Sequence, residues 1–347
     1  MIRCRWVDLG AVEPGRLHAS YAGLAEAQPA SADPLLVTAR STAGHVSIGA
    51  CQSEAAELDL AACAEAGVSV IPRPLGGGNV WIDQDQHCLF IILPRDWAPR
   101  RPDRGFDLAL EPLLRLLAGF GLAARRRGRQ DLWVDGRKIL GSGAGTVGQS
   151  LVIGTSLLWR FPLDRFVGLL RVPSAGFRDW LAQALSQGVT DWQAQGVPVP
   201  DDASLASALS EAFEAVLGWR LQASVVDARE QAAIEAARED MIAEPDHDGQ
   251  RHVRHGLKIN HGLYLLESGG EADWVRVLWR EGRVARIASA EQGEHGWAQA
   301  CVAAPAEREA LVAALAPAGG QAAAVQLAER IHAMCPDLDD SDDRTDD

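Results

Sequence analysis

Lysine and asparagine are nearly missing from this sequence. Lys and Arg together make 33 residues, yet lysine stands only at Lys138 and Lys258, and asparagine only at Asn79 and Asn260. A chain so given to arginine would carry it at 138 too, unless a compact ammonium is needed there. Guanidinium is a wide planar fork; lysine is a point charge on a flexible stem. Chance survival of two lysines is the competing account, and the residues alone leave both open. No run of about 18 uncharged apolar residues occurs, so no membrane-spanning helix is expected. The opening MIRCRWVDLGAVEPG has no apolar region of signal-peptide length, which makes the cytoplasm the expected location. The cysteines (4, 51, 63, 88, 301 and 335) include no CxxC pair and are expected to be free thiols. None lies between Cys88 and Cys301.

Positive charge is also in short supply. The net charge is −14, of which the tail DLDDSDDRTDD (337–347) contributes −6, leaving −8 elsewhere. Nucleic acid is thereby excluded as the main partner, because phosphate binding needs a basic face. The tail has no apolar residue after Leu338 and is expected to be disordered.

What is present is an irregular alternation of strand and helix patterns. Residues 35–50 read as two short strands about a turn at Ala43–Gly44. Residues 53–67 read as an amphipathic helix with Ser53 as N-cap and Gly67 as its stop. VSVIPRP is a strand halted by prolines, and HCLFIILP an apolar strand buried on both faces. FDLALEPLLRLLAGFG (106–121) has helical spacing. LAARRRGRQDLWVDGRKILGSGAG reads as a hairpin turning at Asp135–Gly136, a type I′ signal. A strand at 150–161 precedes helices in PLDRFVGLL, FRDWLAQAL, 201–218 (with Ser204 as candidate cap) and 228–244. Beyond a polar stretch, WVRVLW and RVARIAS turn at Glu281–Gly282 and two alanine-rich helices follow. The reading is therefore α+β, with mixed or antiparallel sheets flanked by helices. Its expected domains are 1–245, a linker at 246–256, a small α+β domain at 257–335 and the tail at 336–347.

Three stretches carry chemistry. Arg73-Pro74-Leu75-Gly76-Gly77-Gly78-Asn79 links two strands, and its glycines let backbone N–H groups approach an anion closely. It lacks the spacing of a P-loop or a dinucleotide fingerprint. A bulge or tight turn is the plainer account. Arg73 beside it can fork two oxygens of a phosphate or carboxylate, or form a surface salt bridge. Asp131 stands opposite Lys138 on the expected hairpin, able to hold Mg²⁺ or an adenine amine, or to be an ordinary strand-end carboxylate. Arg125–Arg127 and Arg129 form a basic edge that can steer an acidic partner or ATP, or simply be solvated. His247, His252, His255 and His261 lie near one another without a carboxylate or cysteine at matching spacing, and the metal ligands stay unassigned.

In this order, VSIGACQ (46–52), RPLGGGNVWID (73–83) and QDLWVDGRKILGSG (130–143), followed by SLVIGTSLL, resemble the lipoate–protein ligase family of the biotin/lipoate A/B ligases. HGLKINHGLYLLE and VARIAS resemble the accessory domain of its longer members. The resemblance implies a catalytic domain like those of class II aminoacyl-tRNA synthetases and biotin ligases. It implies ATP-dependent activation of lipoate or octanoate as acyl-AMP, with Mg²⁺, and transfer to a lysine of a lipoyl carrier protein or lipoyl domain. Lys138 then binds the adenylate. Arg73, Gly76, Gly77, Gly78, Asn79, Asp131, Gly141, Gly154 and Thr155 are the implied substrate and ATP contacts. Some transferases of this superfold form a thioester on a cysteine shortly after the third motif; its absence here favours the ATP route. An ATP-independent octanoyl or lipoyl transferase and a non-catalytic acyl-binding module are the alternatives. This sequence departs from the family at Pro72, Trp81–Ile82, Gln130 and Val152–Ile153, and its 172–200 segment has no lysine.

Overall fold

The apolar run around Phe90 forms β6 (Gln86–Leu93), buried at every residue, in the interior of an eight-stranded sheet. The structure is a computed structural model and describes residues 1–243, 251 and 253–335. The strand order is β11 (Trp219–Ser224), β1 (Ile2–Val12), β2 (Leu35–Ser41), β6, β10 (Ser150–Leu158), β9 (Arg137–Val147), β8 (Asp131–Val134) and β7 (Arg125–Arg127). β11, β1 and β2 run parallel; every later pairing is antiparallel. Alternate side chains of a strand face opposite ways. Leu89, Ile91 and Leu93 pack with α4 (Gly105–Gly119) and α7 (Asp202–Leu217), while Cys88, Phe90 and Ile92 pack with α1 (Pro14–Ala27) and α8 (Ala228–Ala243). Each such Leu or Ile contributes about 1.5–3 kcal/mol by leaving water. Gly23 sets how closely α1 and α8 approach, because a Cβ there would lie 2.5 Å from the Ile234 backbone.

A three-stranded sheet has β3 (His45–Ile48) at its centre, parallel to β4 (Ser69–Pro72) and antiparallel to β5 (Val80–Ile82). The two strands read in 35–50 are real, but they do not pair with each other: β2 joins the large sheet and β3 this one. The helix expected at 53–67 is two short ones, α2 (Glu54–Glu57) and α3 (Leu60–Glu65). Leu58 is buried in an extended conformation between them, and the Asp59 carboxylate recaps the chain by accepting from the Ala62 N–H at 3.0 Å. α5 (Leu163–Leu169) follows the large sheet's β10.

The chain divides into two compact units. The first contains the elements above; the second is Leu170–Gly188 with the described residues from Arg251 onward. Its sheet is antiparallel: β12 (Gly256–Asn260), β13 (Leu263–Ser268), β14 (Val275–Arg280) and β15 (Arg283–Ser289). Leu266, Val277 and Ile287 pack there with α9 (Arg308–Gly319) and α10 (Gln321–Met334). Helix α6 (Ala175–Gly188) belongs to this unit, although the sequence reading put it in the 1–245 domain. Its partners are far away in sequence: the Gly188 carbonyl accepts from Asn260 Nδ2 at 3.0 Å, and the Arg286 guanidinium lies 3.7 Å from the Trp180 ring. Most of the expected 246–256 linker and all of the 336–347 tail lie outside the described residues. No helix among the described residues is long and apolar enough to cross a membrane.

Candidate functional site

The β8–β9 hairpin turns through Asp135 and Gly136 at φ +48° and +74°, the two positive values that a type I′ turn requires. A bulge between Leu132 and Trp133 shifts the register, so Asp131 stands opposite Gly141 and Trp133 opposite Lys138. Lys138 then stretches along the hairpin and places Nζ 2.8 Å from Asp131 Oδ1. Glycine at 141 makes this possible, since a Cβ there would lie 2.6 Å from both Cε and Nζ of Lys138. Asp131 is buried and the lysine side chain is 27% exposed, so a buried carboxylate holds an ammonium carried on a partly exposed side chain. Thr155 Oγ1 donates to the Gly141 carbonyl at 2.9 Å and fixes the strand beneath it.

The same strand carries the glycine loop. A Cβ at Gly143 would sit 2.6 Å from the Gly76 carbonyl oxygen, and one at Gly145 would sit 2.3 Å from that of Pro74. Gly154 on β10 leaves room for Leu75, whose Cδ1 would be 2.7 Å from an added Cβ. Gly49 leaves room for the Gly77 carbonyl, 2.0 Å from an added Cβ. Glycines on three separate stretches thus form a track on which the loop's backbone lies flat. Residues two apart on a strand share a face and are separated by roughly 7 Å. Gly141 under the ammonium and Gly143 under the loop therefore put both features on one face of β9.

Arg73 closes the loop on itself. It is 8% exposed, and its terminal nitrogens donate to the carbonyls of Ser47 (2.9 Å), Gly76 (3.1 Å) and Gly78 (2.7 Å). Burial pulls its pKa down to about 10, which still leaves it charged at neutral pH. No ion pair to Arg73 occurs among the described residues, so its charge faces only neutral dipoles, these carbonyls and the Ser47 hydroxyl at 3.3 Å. The Gly76 N–H donates to the Ala144 carbonyl at 3.0 Å. Among the expected loop donors, those of Gly77 and Gly78 have no protein acceptor among the described residues. Both polar atoms of the Asn79 carboxamide are buried without a hydrogen-bond partner, an arrangement that costs about 1–3 kcal/mol per group unless something else supplies one. Trp81 is buried, with Nε1 donating to Asp83 at 2.7 Å and its ring filling the space that Gly44 leaves.

Sequence reasoning missed a polar chain near Arg73. His18 Nε2 lies 3.1 Å from His45 Nε2, and His18 Nδ1 lies 3.3 Å from the Tyr21 hydroxyl, all three residues being buried. Burial is the main cause that holds both imidazoles neutral: His18 falls well below the usual range and His45 to about 4. The Arg73 charge lowers His18 further. No local motif announces this chain, because α1 and β3 come together only through the fold. Gly49 was legible in principle. It opens G-x-x-Q, and its N–H donates to Gln52 Oε1 at 2.9 Å. Of the four clustered histidines, His247 and His252 lie outside the described residues. No group of three or more His, Cys, Asp or Glu suited to a metal occurs among the described residues.

Comparison with known proteins points one way. The curated protein named as a probable lipoate-protein ligase A of Mycoplasma pneumoniae is 29% identical over 99 residues, which is 28% of this chain and 29% of that protein. The match thus spans less than a third of that relative's length. The bipartite lipoate protein ligase of Thermoplasma acidophilum, from a structural study that also covers its E2 lipoyl domain, shares the fold with a TM-score of 0.64 at 20% identity, covering 70% of this chain and 95% of that one. A lipoate-protein ligase A bound with ATP gives a TM-score of 0.60 at 18% identity, covering 70% and 97%. A family model described as lipoyl protein ligase A/B catalytic domain matches residues 22–214, more than half of the sequence, and the chain belongs to that family.

Proposed function

We propose that the protein is an ATP-dependent lipoate–protein ligase, activating lipoate or octanoate as acyl-AMP and passing the acyl group to a lysine of a lipoyl domain. The observation that carries this reading is the Lys138 ammonium, 2.8 Å from Asp131 and on the same face of β9 as the glycine loop. A carboxylate and an α-phosphate repel each other as they join. A fixed ammonium, the buried Arg73 charge and the N–H groups of Gly77 and Gly78 offset that repulsion where negative charge accumulates. They do so with little reorganisation, because the glycine track and Asp131 already hold them in place. Pyrophosphate leaves, and the acceptor amine then attacks the mixed anhydride and releases AMP. No protein nucleophile is required. Consistent with that, burial raises the Cys88 thiol to about 12, far from a reactive thiolate.

Mg²⁺ belongs to this reading as the companion of ATP. Mg²⁺ is usually held by one or two carboxylates together with substrate phosphates. Asp131 is the carboxylate in place, and a full protein cage is absent among the described residues. Structural study of the Thermoplasma ligase with its E2 lipoyl domain supports an acceptor of that class.

The test is mass spectrometry of an apo lipoyl domain incubated with the protein, lipoate and ATP. The acceptor should gain one lipoyl group, with pyrophosphate released, and Lys138→Ala should lower the rate about 10²–10³-fold. Acceptor modification without ATP would select the transferase instead. No modification with either lipoate or octanoate would remove the reading altogether.

A further inference from the structure

On the other face of the large sheet from the glycine loop, at the end of the core under α7, lies a small cavity that the ligation chemistry does not use. Trp6, Asp8 and Gly10 of β1, Arg40 of β2 and His87 of β6 line it, with Asp202 and Leu205 of α7 among the residues covering it. Its volume is about 40 Å³, enough for about three waters or a group of a few heavy atoms. A register shift in β1 between Asp8 and Ala11, with Gly10 at φ +64°, helps shape the opening.

The polar groups there are incompletely matched. His87 is 9% exposed, and its Nε2 has no hydrogen-bond partner. Asp8 Oδ1 accepts from the Thr38 hydroxyl (3.0 Å) and the Gly10 N–H (3.1 Å), while the Trp6 indole N–H donates to Thr38 Oγ1 at 3.0 Å. That leaves Asp8 Oδ2 without a protein donor among the described residues. Arg40 is paired with Asp202 at 3.1 Å. Burial keeps the imidazole neutral, lowering His87 to about 4. With one arginine against two carboxylates, the lining carries a net charge of −1.

An anion is disfavoured by that balance, since the arginine is already engaged. A multivalent metal is disfavoured because no cluster of three or more metal-ligating side chains occurs among the described residues. What fits is a small cation that is itself a hydrogen-bond donor, able to donate one N–H hydrogen bond to a neutral imidazole nitrogen and others to a carboxylate. We propose that this cavity is a subsite for an ammonium nitrogen, either the free ion or the head of a short primary amine, held by Asp8 and His87 against Trp6. It is independent of the ligase reading.

Thermal unfolding of the full chain, read at constant ionic strength, tests it. Ammonium and methylammonium chloride should raise the midpoint saturably, by about 3 °C at ten times the half-saturating concentration. Sodium and tetramethylammonium, which lack N–H donors, should not. A rise with ammonium alone identifies the free ion as the ligand; a rise with both identifies the amine head. Asp8→Asn, at an exposed residue, and His87→Phe should each weaken the effect at least tenfold. Should His87→Phe fail to fold, Asp8→Asn together with the His87 imidazole ¹⁵N resonance, which should shift saturably with methylammonium, carries the test. An equal rise with tetramethylammonium, an unchanged rise in Asp8→Asn, or no rise at all would overturn the proposal and leave a cavity filled by water only.

Discussion

Arg73 in the first unit and Arg276 in the second are both buried, yet their charges are met in different ways. Arg276 has a carboxylate: its Nε donates to Glu267 Oε2 at 2.6 Å, and its guanidinium lies 4.7 Å from the Trp274 ring and 5.4 Å from that of Trp180. Among the described residues Arg73 has only carbonyl oxygens and the Ser47 hydroxyl. A buried cation with a carboxylate and aromatic faces is neutralised within the protein. One facing dipoles alone keeps a net positive field, which draws an anion into place. The contrast separates an arginine neutralised by its own surroundings from one whose charge is left without a carboxylate among the described residues, which is what the proposed ligase chemistry would use.

Deleting the carboxylate should break the first arrangement hardest. Glu267→Ala leaves Arg276 charged and unmatched, and loss of one partner of a buried pair costs about 3–5 kcal/mol. Hydrogen exchange of the β13 and β14 amides should accelerate accordingly. A change below about 1 kcal/mol would mean that Glu267 is not what neutralises Arg276. Arg73→Met should behave in the opposite sense. It should lower kcat/KM for lipoate about 10²–10³-fold and destabilise the chain less than Glu267→Ala does. Near-normal ligation by Arg73→Met would show that the loop needs neither the clamp nor its charge.

Arg73 also contrasts with the buried imidazoles. Burial that leaves a guanidinium charged is enough to deprotonate a histidine. The folded-state pKa values of His45 and His87 are lowered from 6.5 to about 4. The unfolded chain therefore binds more protons than the native chain between these limits, and stability must rise with pH across them. The contribution is fully present above about pH 6.5 and is lost as pH falls toward 4, by up to about 3 kcal/mol per histidine. Urea midpoints of the wild type and of His45→Gln, measured from pH 7 to pH 4, should converge toward acid. Parallel curves would mean that His45 is protonated in the native state.

How much of this was readable beforehand depends on the range of the interactions. The β8–β9 turn was legible because Asp135–Gly136 states its own dihedral requirement, and the burial of β6 because an unbroken apolar run has few other solutions. Lys138 stood out as a candidate by its rarity. Glycines 143 and 145 were not, since their role lies in what passes over them: a loop 67 or more residues earlier in the chain. The membership of α6 in the second unit, and the meeting of His18 with His45, follow from long-range packing that leaves no periodicity behind. Arg73 stood out as a candidate, but its geometry was not legible. A sequence shows a guanidinium beside glycines without showing that it turns back onto their carbonyls.

The finest version of the comparison moves one methyl group. Gly141→Ala puts a Cβ 2.6 Å from the end of the Lys138 side chain, a part that can move aside. The φ of Gly141 is not positive, so the backbone accepts alanine, and a side chain in a strand interior offsets some lost freedom of the unfolded chain. Stability should therefore change by less than about 1 kcal/mol. The ammonium, however, must leave its 2.8 Å contact with Asp131. If that contact sets the working position, kcat/KM should fall about tenfold, as expected when about 1.4 kcal/mol of transition-state stabilisation is lost. The effect should be well short of that of removing Arg73, because the loop and its clamp stay intact. Undiminished activity in Gly141→Ala would mean that Lys138 swings away from Asp131 to work. The pair with Asp131 would then be a resting position, and the site's standing charge would reside in Arg73 alone.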